Sequence, residues 1–527
     1  MRAGRQISVA LGSLLVLAAC SSGSASDVVP PTRPSIAPTV SLPPLPSASP
    51  LESVTRQPDP STEPAPDLTA FYDQDVTWHN CGAADCTTIT VPLDYSQPDG
   101  ATVKLAAARV KSTGDSIGTL FVDPGGPGGS AVDYARAAKQ IVSEDVRKHY
   151  DVVGVDPRGV GLSDPVRCLT DDQTDEILAV DGTPDSPQEE QATIDASAVV
   201  EHGCEKKGGL LYQHMGTADA ARDLDIARAV VNDDTFNYLG KSYGTMLGAT
   251  YAELFPDRVG RMVLDGVLPA NLDLVQITKG QADEFEVALR HFVEDCLGSS
   301  DCPLSGTPDE AIKQVQQWLA SLDSVPLVSG SREFNEPLAT YAVLSYLYFP
   351  ANDYPALRGA LASAMNDKDA GPMLALLDAR IDRGPEGHYI SNSTDAFYGV
   401  TCLDRPFTGT VNDVKKYAKE WAATAPTFGP SLAWGLLPCQ DWPVVGDPIS
   451  ETKAKGSNPI LVVSSSHDPA TPYQWGVDLA STLDNGHLLT NDGWGHTAYH
   501  ANGNCISRAV DAYLLAGTLP ADGTVCS

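Results

Sequence analysis

Ser242 sits in Gly240-Lys241-Ser242-Tyr243-Gly244, a Gly-x-Ser-x-Gly turn. A serine hydroxyl is a poor nucleophile until a base takes its proton, and the base must be oriented and its charge balanced by an acid. His496, in Gly493-Trp494-Gly495-His496-Thr497, and Asp468, in Ser466-His467-Asp468-Pro469-Ala470-Thr471-Pro472, fit the base and the acid. The chain order is Ser, Asp, His, and the last two are 28 residues apart (496 − 468), room for one helix and one strand. The tetrahedral intermediate of acyl transfer needs two N–H donors. Tyr243, directly after the nucleophile, offers one, and the loop Gly125-Gly126-Pro127-Gly128 offers the other. Proline has no N–H, so that donor is assigned to Gly126. Asp265 is a rival for the acid, and His467 and His500 are rivals for the base.

Such a constellation requires strands that end where each loop begins. Apolar runs at 118–122, 150–155, 235–239, 261–264, 459–463 and 487–489 each stop at a loop, and all of these loops but the one after 155 carry one of these groups. A helix is expected from about 245 to 255, so Ser242 would stand on a strand–turn–helix elbow. Two earlier strands are expected near 87–91 and 103–105. Short apolar strands alternating with helices predict an α/β fold with a mostly parallel sheet and helices on both faces. Residues 67–268 form the first part of this core and 457–527 its C-terminal part. Between them, 269–456 reads as mainly helical, with helices expected at 277–296, 308–322, 337–348 and 355–365. An insertion there caps the C-terminal edge of the sheet, where open α/β sheets bind ligands.

The 527 residues carry a net charge of −33, which repels nucleic acid and argues against a nucleic-acid partner. Arg2 and Arg5 precede an apolar stretch at 7–19 that is too short to span a bilayer. Leu17-Ala18-Ala19-Cys20 resembles a bacterial lipobox, which implies a signal peptide at 1–19 and lipidation of Cys20. The Pro- and Ser-rich segment 20–66 then reads as an extended tether, holding the enzyme on the outer face of the cell membrane, with secretion as a further possibility. Ten cysteines remain: Cys81, Cys86, Cys168, Cys204, Cys296, Cys302, Cys402, Cys439, Cys505 and Cys526. An even number in an exported chain points to disulfides, for which sequential pairing is the simplest arrangement. No C-x₂-C zinc spacing occurs, so neither metal nor cofactor is expected, and the chain is expected to be a monomer.

Together these motifs resemble the proline-iminopeptidase-like branch of the α/β-hydrolases, and within it the secreted tripeptidyl aminopeptidases of actinobacteria. The carriers are Pro124-Gly125-Gly126-Pro127-Gly128-Gly129-Ser130, Asp156-Pro157-Arg158-Gly159, the Ser242 elbow, His467-Asp468-Pro469-Ala470-Thr471-Pro472 and Gly495-His496-Thr497. Iminopeptidases proper carry His where Pro124 stands, which points away from proline-specific cleavage. The resemblance implies release of short peptides, tripeptides above all, from substrates with a free N-terminus. An exopeptidase needs an anion for the substrate's α-ammonium. Asp404 in the cap is nominated, with Asp395 and Glu284 as rivals. An esterase or lipase acting on envelope or imported esters is the alternative, because the acyl-enzyme chemistry is the same. A non-catalytic binding lipoprotein is a third, disfavoured by the intact triad.

Overall fold

A computed structural model describes residues 45–49, 51, 68–500 and 504–527. The signal stretch, Cys20 and most of the tether lie outside these residues. The strands in chain order are β1 (His79–Asn80), β2 (Asp85–Pro92), β3 (Thr102–Val110), β4 (Thr119–Asp123), β5 (Asp151–Val155), β6 (Phe236–Lys241) and β7 (Val259–Asp265). They continue with β8 (Leu327–Ser329), β9 (Arg332–Phe334), β10 (Ile460–His467), β11 (Gly486–Trp494) and β12 (Val525–Cys526). One sheet has the order β1-β2-β3-β5-β4-β6-β7-β10-β11-β12, while β8 and β9 pair separately. Pairing is antiparallel as far as β3–β5 and parallel from β4–β5 onward.

Every residue of β4, β6 and β7 is buried, as expected for parallel strands covered on both faces. Side chains alternate between two cores. Phe121, Tyr238, Met262 and Val462 face helices Thr217–Val230 and Tyr243–Leu254, whereas Leu120, Leu239, Val263 and Val463 pack with Val510 and Leu514 of helix Cys505–Ala516. The chain passes from β4 to β5 on one side and returns to β6 on the other. That reversal opens a crevice at the strands' C-terminal ends.

Between β7 and β10 the chain forms helices Leu274–Leu297, Pro308–Ser324, Glu336–Ser345, Pro350–Ala362, Gly371–Arg380, Ser393–Asp404 and Val411–Trp421. Phe285, Leu289, Phe292, Trp318, Val343, Leu357 and Phe428 give this region an apolar core of its own. The helix expected at 355–365 starts five residues earlier. Pro350 stands in its first turn, where a missing N–H costs nothing, and Pro355 lies inside it. The β8–β9 hairpin was not expected, because three-residue strands carry no readable period.

Part of the presumed tether is docked. Leu45 and Ala48 pack against the second core, and Ser49 donates to Leu515 O (2.9 Å) while accepting from Arg261 Nη2 (2.7 Å). This irregular stretch has backbone groups without ladder partners, and the buried arginine takes one of them. The ten cysteines pair as Cys81–Cys86, Cys168–Cys204, Cys296–Cys302, Cys402–Cys439 and Cys505–Cys526. Among the described residues, no helix is long and apolar enough to cross a membrane.

Arg158 fixes the loop after β5. It is fully buried, grips both oxygens of Asp223 (2.7 and 2.6 Å), and spends its other N–H groups on the carbonyls of Pro92, Leu93 and His214. Arg158→Met is expected to lower the unfolding free energy by about 3–5 kcal/mol, because Asp223 is left buried without its cation, with only the Tyr95 hydroxyl still donating to it. Denaturant titration measures this directly.

Candidate active site

Ser242 occupies the single residue between β6 and helix Tyr243–Leu254, with φ 55° and ψ −124°. A positive φ at a non-glycine residue costs of order 1–3 kcal/mol and persists only where the surroundings enforce it. They do so here. Ser242 N–H donates to Asp265 O (3.0 Å), and Thr245 Oγ1 donates to Ser242 O (2.6 Å).

The loop after β4 presses on this turn. Asp123 pairs with Gly240, so the two strands end side by side. A Cβ on Gly125 would lie 2.4 Å from Lys241 O and 2.9 Å from both Ser242 Cβ and Tyr243 N. Gly125 also has φ +91°. Its N–H donates to Asp123 Oδ1 (2.8 Å), whose carboxyl is pushed up to about 7, chiefly by burial. Next to it stands Gly126. Tyr243 opens a helix, where the first N–H groups have no intrahelical acceptor. Neither the Tyr243 nor the Gly126 N–H donates to a protein acceptor among the described residues.

Asp468 follows β10, and His496 follows β11 by two residues. His496 Nδ1 lies 2.9 and 3.0 Å from the two Asp468 oxygens, and both side chains are buried. Asp468 also accepts from the N–H groups of Ala470 (3.0 Å), Thr471 (2.9 Å) and Thr497 (3.1 Å). An ionised carboxylate only accepts, so this bond places the imidazole proton on Nδ1 and leaves Nε2 as a base. The Asp265–Gly266 segment joins this pair to the elbow. Asp265 O holds Ser242 N–H, while a Cβ on Gly266 would lie 3.4 Å from His496 Cε1. Thr471, whose hydroxyl lies 3.3 Å from His496 Nδ1, is a neighbour of the imidazole that the sequence motif does not single out. Its signal is a hydroxyl three residues beyond the acid, within the same turn.

Two of the rivals, Asp265 and His467, are occupied elsewhere. Asp265 accepts from the N–H groups of Ala498 (2.9 Å) and Tyr499 (2.9 Å), and so holds the chain beyond His496 rather than its ring. Lys241 donates to Tyr499 O (2.6 Å). The His467 ring stacks on Trp494 at 4.0 Å. Cap residues close over the pair. His496 N–H donates to Tyr348 O (2.8 Å), and the Tyr348 ring stands edge-on to the imidazole at 5.4 Å.

The cap carboxylates divide sharply. Asp404 is buried and accepts from Thr217 N–H (3.0 Å) and Thr217 Oγ1 (2.5 Å), and that hydroxyl lies 2.8 Å from Tyr243 Oη. Asp395 accepts from the N–H groups of Cys168 and Leu169, both at 3.0 Å. Both acids splint the backbone. Glu284 forms no hydrogen bond or ion pair among the described residues. Its carboxyl is raised first by burial and then by the charge of Asp468. One turn earlier on the same helix, Gln281 donates to Ala470 O (2.9 Å), in the acid's own loop.

The chain is 36% identical over 483 residues to the serine protease Hip1 of Mycobacterium tuberculosis, covering 86% of this chain and 91% of that protein. It belongs to the tripeptidyl-aminopeptidase-like family of α/β-hydrolases. A family model described as TAP-like protein matches residues 425–526. A tripeptidyl aminopeptidase of Streptomyces lividans is 31% identical over 471 residues, covering 86% of each chain. A Mycobacterium tuberculosis protein named carboxylesterase B is 36% identical over 504 residues, covering 91% of this chain and 95% of that one. Membership makes this chain an enzyme of the serine hydrolase class.

Gly125→Ala is expected to lower turnover of an activated ester by about 10²-fold, the scale of losing one oxyanion donor, while circular dichroism stays native. The added methyl must move either the Gly126 loop or the Ser242 elbow.

Proposed function

We propose that the chain is a serine exopeptidase that releases short peptides, tripeptides foremost, from free N-termini. Ser242 Oγ attacks the scissile carbonyl as His496 Nε2 takes its proton, and Asp468 stabilises the imidazolium that forms. The N–H groups of Gly126 and Tyr243 receive the oxyanion. Collapse of the tetrahedral intermediate passes the proton from His496 to the leaving amine and leaves a peptidyl ester on Ser242. Water, deprotonated by His496, then hydrolyses that ester.

The observation that carries the exopeptidase reading is Glu284, a cap carboxylate with no partner of its own beside the Asp468 loop. An α-ammonium placed on it would fix how many residues reach the serine. Asp404 and Asp395, already spent on backbone N–H groups, are poorer anchors. Ester cleavage is a second reading, favoured by the relative named carboxylesterase B, and it follows the same course with an alcohol in place of the amine as the leaving group. We also propose that Cys20 carries the lipid that holds the enzyme on the outer membrane face.

Ser242→Ala should abolish both fluorophosphonate labelling and release of tripeptides, the latter followed by product mass. N-acetylation of the substrate should block cleavage, and equal turnover of acetylated and free peptides would overturn the exopeptidase reading. Glu284→Gln should cost about 10–100-fold in kcat/KM on free-amine peptides, the range of a lost charge-assisted bond, and leave activated esters unaffected. Cys20→Ala should move the enzyme from the membrane fraction to the medium.

A further inference from the structure

The loop after β4 leaves the sheet beside a buried carboxyl that the catalytic steps above do not use. Asp123, the last residue of β4, is only 3% exposed. Its Oδ1 accepts from Gly125 N–H (2.8 Å), directly before the proposed oxyanion donor Gly126. The same oxygen abuts the first turn of helix Tyr243–Leu254, where a Cβ on Gly244 would stand 2.8 Å from it. Tyr238 Oη donates to Gly244 O (2.8 Å) in that turn. One carboxyl therefore touches both backbone segments that carry the proposed oxyanion donors, Gly126 and Tyr243.

Among the described residues, no lysine, arginine or histidine pairs with Asp123. Lys241 follows Gly240, the register partner of Asp123, but donates to Tyr499 O (2.6 Å) and lies 3.7 Å from Asp265. The titratable groups within electrostatic reach of Asp123 are Tyr134, Tyr238, Tyr243 and Asp156. Burial holds the three tyrosines neutral, and Asp156 adds a like charge. A carboxylate in this place is pulled two ways. The helix N-terminus favours an anion by the modest amount of a terminal partial charge. Burial with one N–H bond and no cation disfavours it more strongly. Burial first, and then the charge of Asp156, push the carboxyl up to about 7 against the Gly125 bond.

We propose that Asp123 is a positioning residue that works in its protonated form. Neutral, it holds Gly125 N–H and so seats the Gly126 loop, with no charge beside the donors. Ionised, it sets an anion against the turn that must receive a second one, the oxyanion, and transition-state stabilisation is lost. The positive end of one helix cannot serve both anions. The active enzyme has Asp123 protonated while His496 is neutral, so the rise in pH that favours the base disfavours the oxyanion donors. Asp123 has this role only if Ser242, Gly126 and Tyr243 act as proposed above, whether a peptide or an ester is the substrate.

The test compares the full-length parent with Asp123→Asn on p-nitrophenyl acetate, a substrate with no titrating group of its own. The ratio of the variant's kcat/KM to the parent's cancels the titration of His496, which both share. It should rise about tenfold between about pH 6 and about pH 8, as a carboxyl titrating near 7 goes from about 90% to about 10% protonated. A merely structural role would change kcat/KM equally at every pH, and such a flat ratio would overturn the proposal. Urea titration gives a second readout. A proton kept in the folded state adds stability below about pH 4 that is lost as pH rises to about 7. Asp123→Asn should therefore gain stability relative to the parent over that window, and no gain would count against the proposal in the same way. Undiminished turnover by Ser242→Ala would overturn the active-site reading, and the role of Asp123 with it. If Asp123→Asn does not fold, Asp123→Ser, whose hydroxyl can still accept from Gly125 N–H, is judged by the same ratio.

Discussion

The site depends on two strand ends lying side by side. Because Asp123 of β4 pairs with Gly240 of β6, the loop after β4 must leave the sheet against the turn that carries Ser242. The space between them is less than one methyl group wide at Gly125. Two consequences follow from that contact. The N–H of Tyr243 and the Gly126 loop are brought to one side of the serine, and Ser242 is held in a backbone conformation that it would not adopt in a free chain. Sheet register, rather than any single hydrogen bond, sets the distance between the proposed nucleophile and its oxyanion donors.

Around this contact, buried carboxylates work as splints. Asp468 and Asp265 together accept from the N–H groups of Ala470, Thr471, Thr497, Ala498 and Tyr499, and so fix the chain on both sides of the imidazole. Asp404 reaches Tyr243 through the Thr217 hydroxyl, and ties the cap to the first turn of the elbow helix. An anion already given two or three hydrogen bonds has little left for a substrate. This accounting separates Glu284 from Asp404 and Asp395. Residue type and neighbourhood could not do so, because all three are simply acids in the cap when read along the chain.

What was legible in the sequence follows the same physics. Parallel strands buried on both faces are continuous apolar runs, so β4 to β7 and β10 could be read, together with the loops that end them. Strands of two or three residues, such as β1, β8, β9 and β12, carry no period and depend on their partners. Ser242, His496 and Asp468 could be placed because each stands at a strand end in a fixed chain order. Thr471 could not be singled out, since its contact with His496 depends on how the turn after Asp468 folds. The docking of Leu45 to Ser49 was hidden for another reason. Its partners, Arg261 and Leu515, are remote in sequence, and a Pro- and Ser-rich composition reads as unfolded whether or not a groove accepts it.

The cap is more than a cover. His496 depends on Tyr348 for the acceptor of its backbone N–H and for an aromatic edge against its ring. The start of helix Ser393–Asp404 presses on the loop after β4, since a Cβ on Gly128 would lie 2.7 Å from Ser393 O. Helix Leu274–Leu297 reaches the acid loop through Gln281, and its His291 stacks on Trp494, whose other stacking partner is His467. A cap attached to the loops after β4, β10 and β11 cannot be displaced without disturbing the Gly126 loop, Asp468 or His496. The seating of the cap and the orientation of the imidazole therefore rest on one set of contacts.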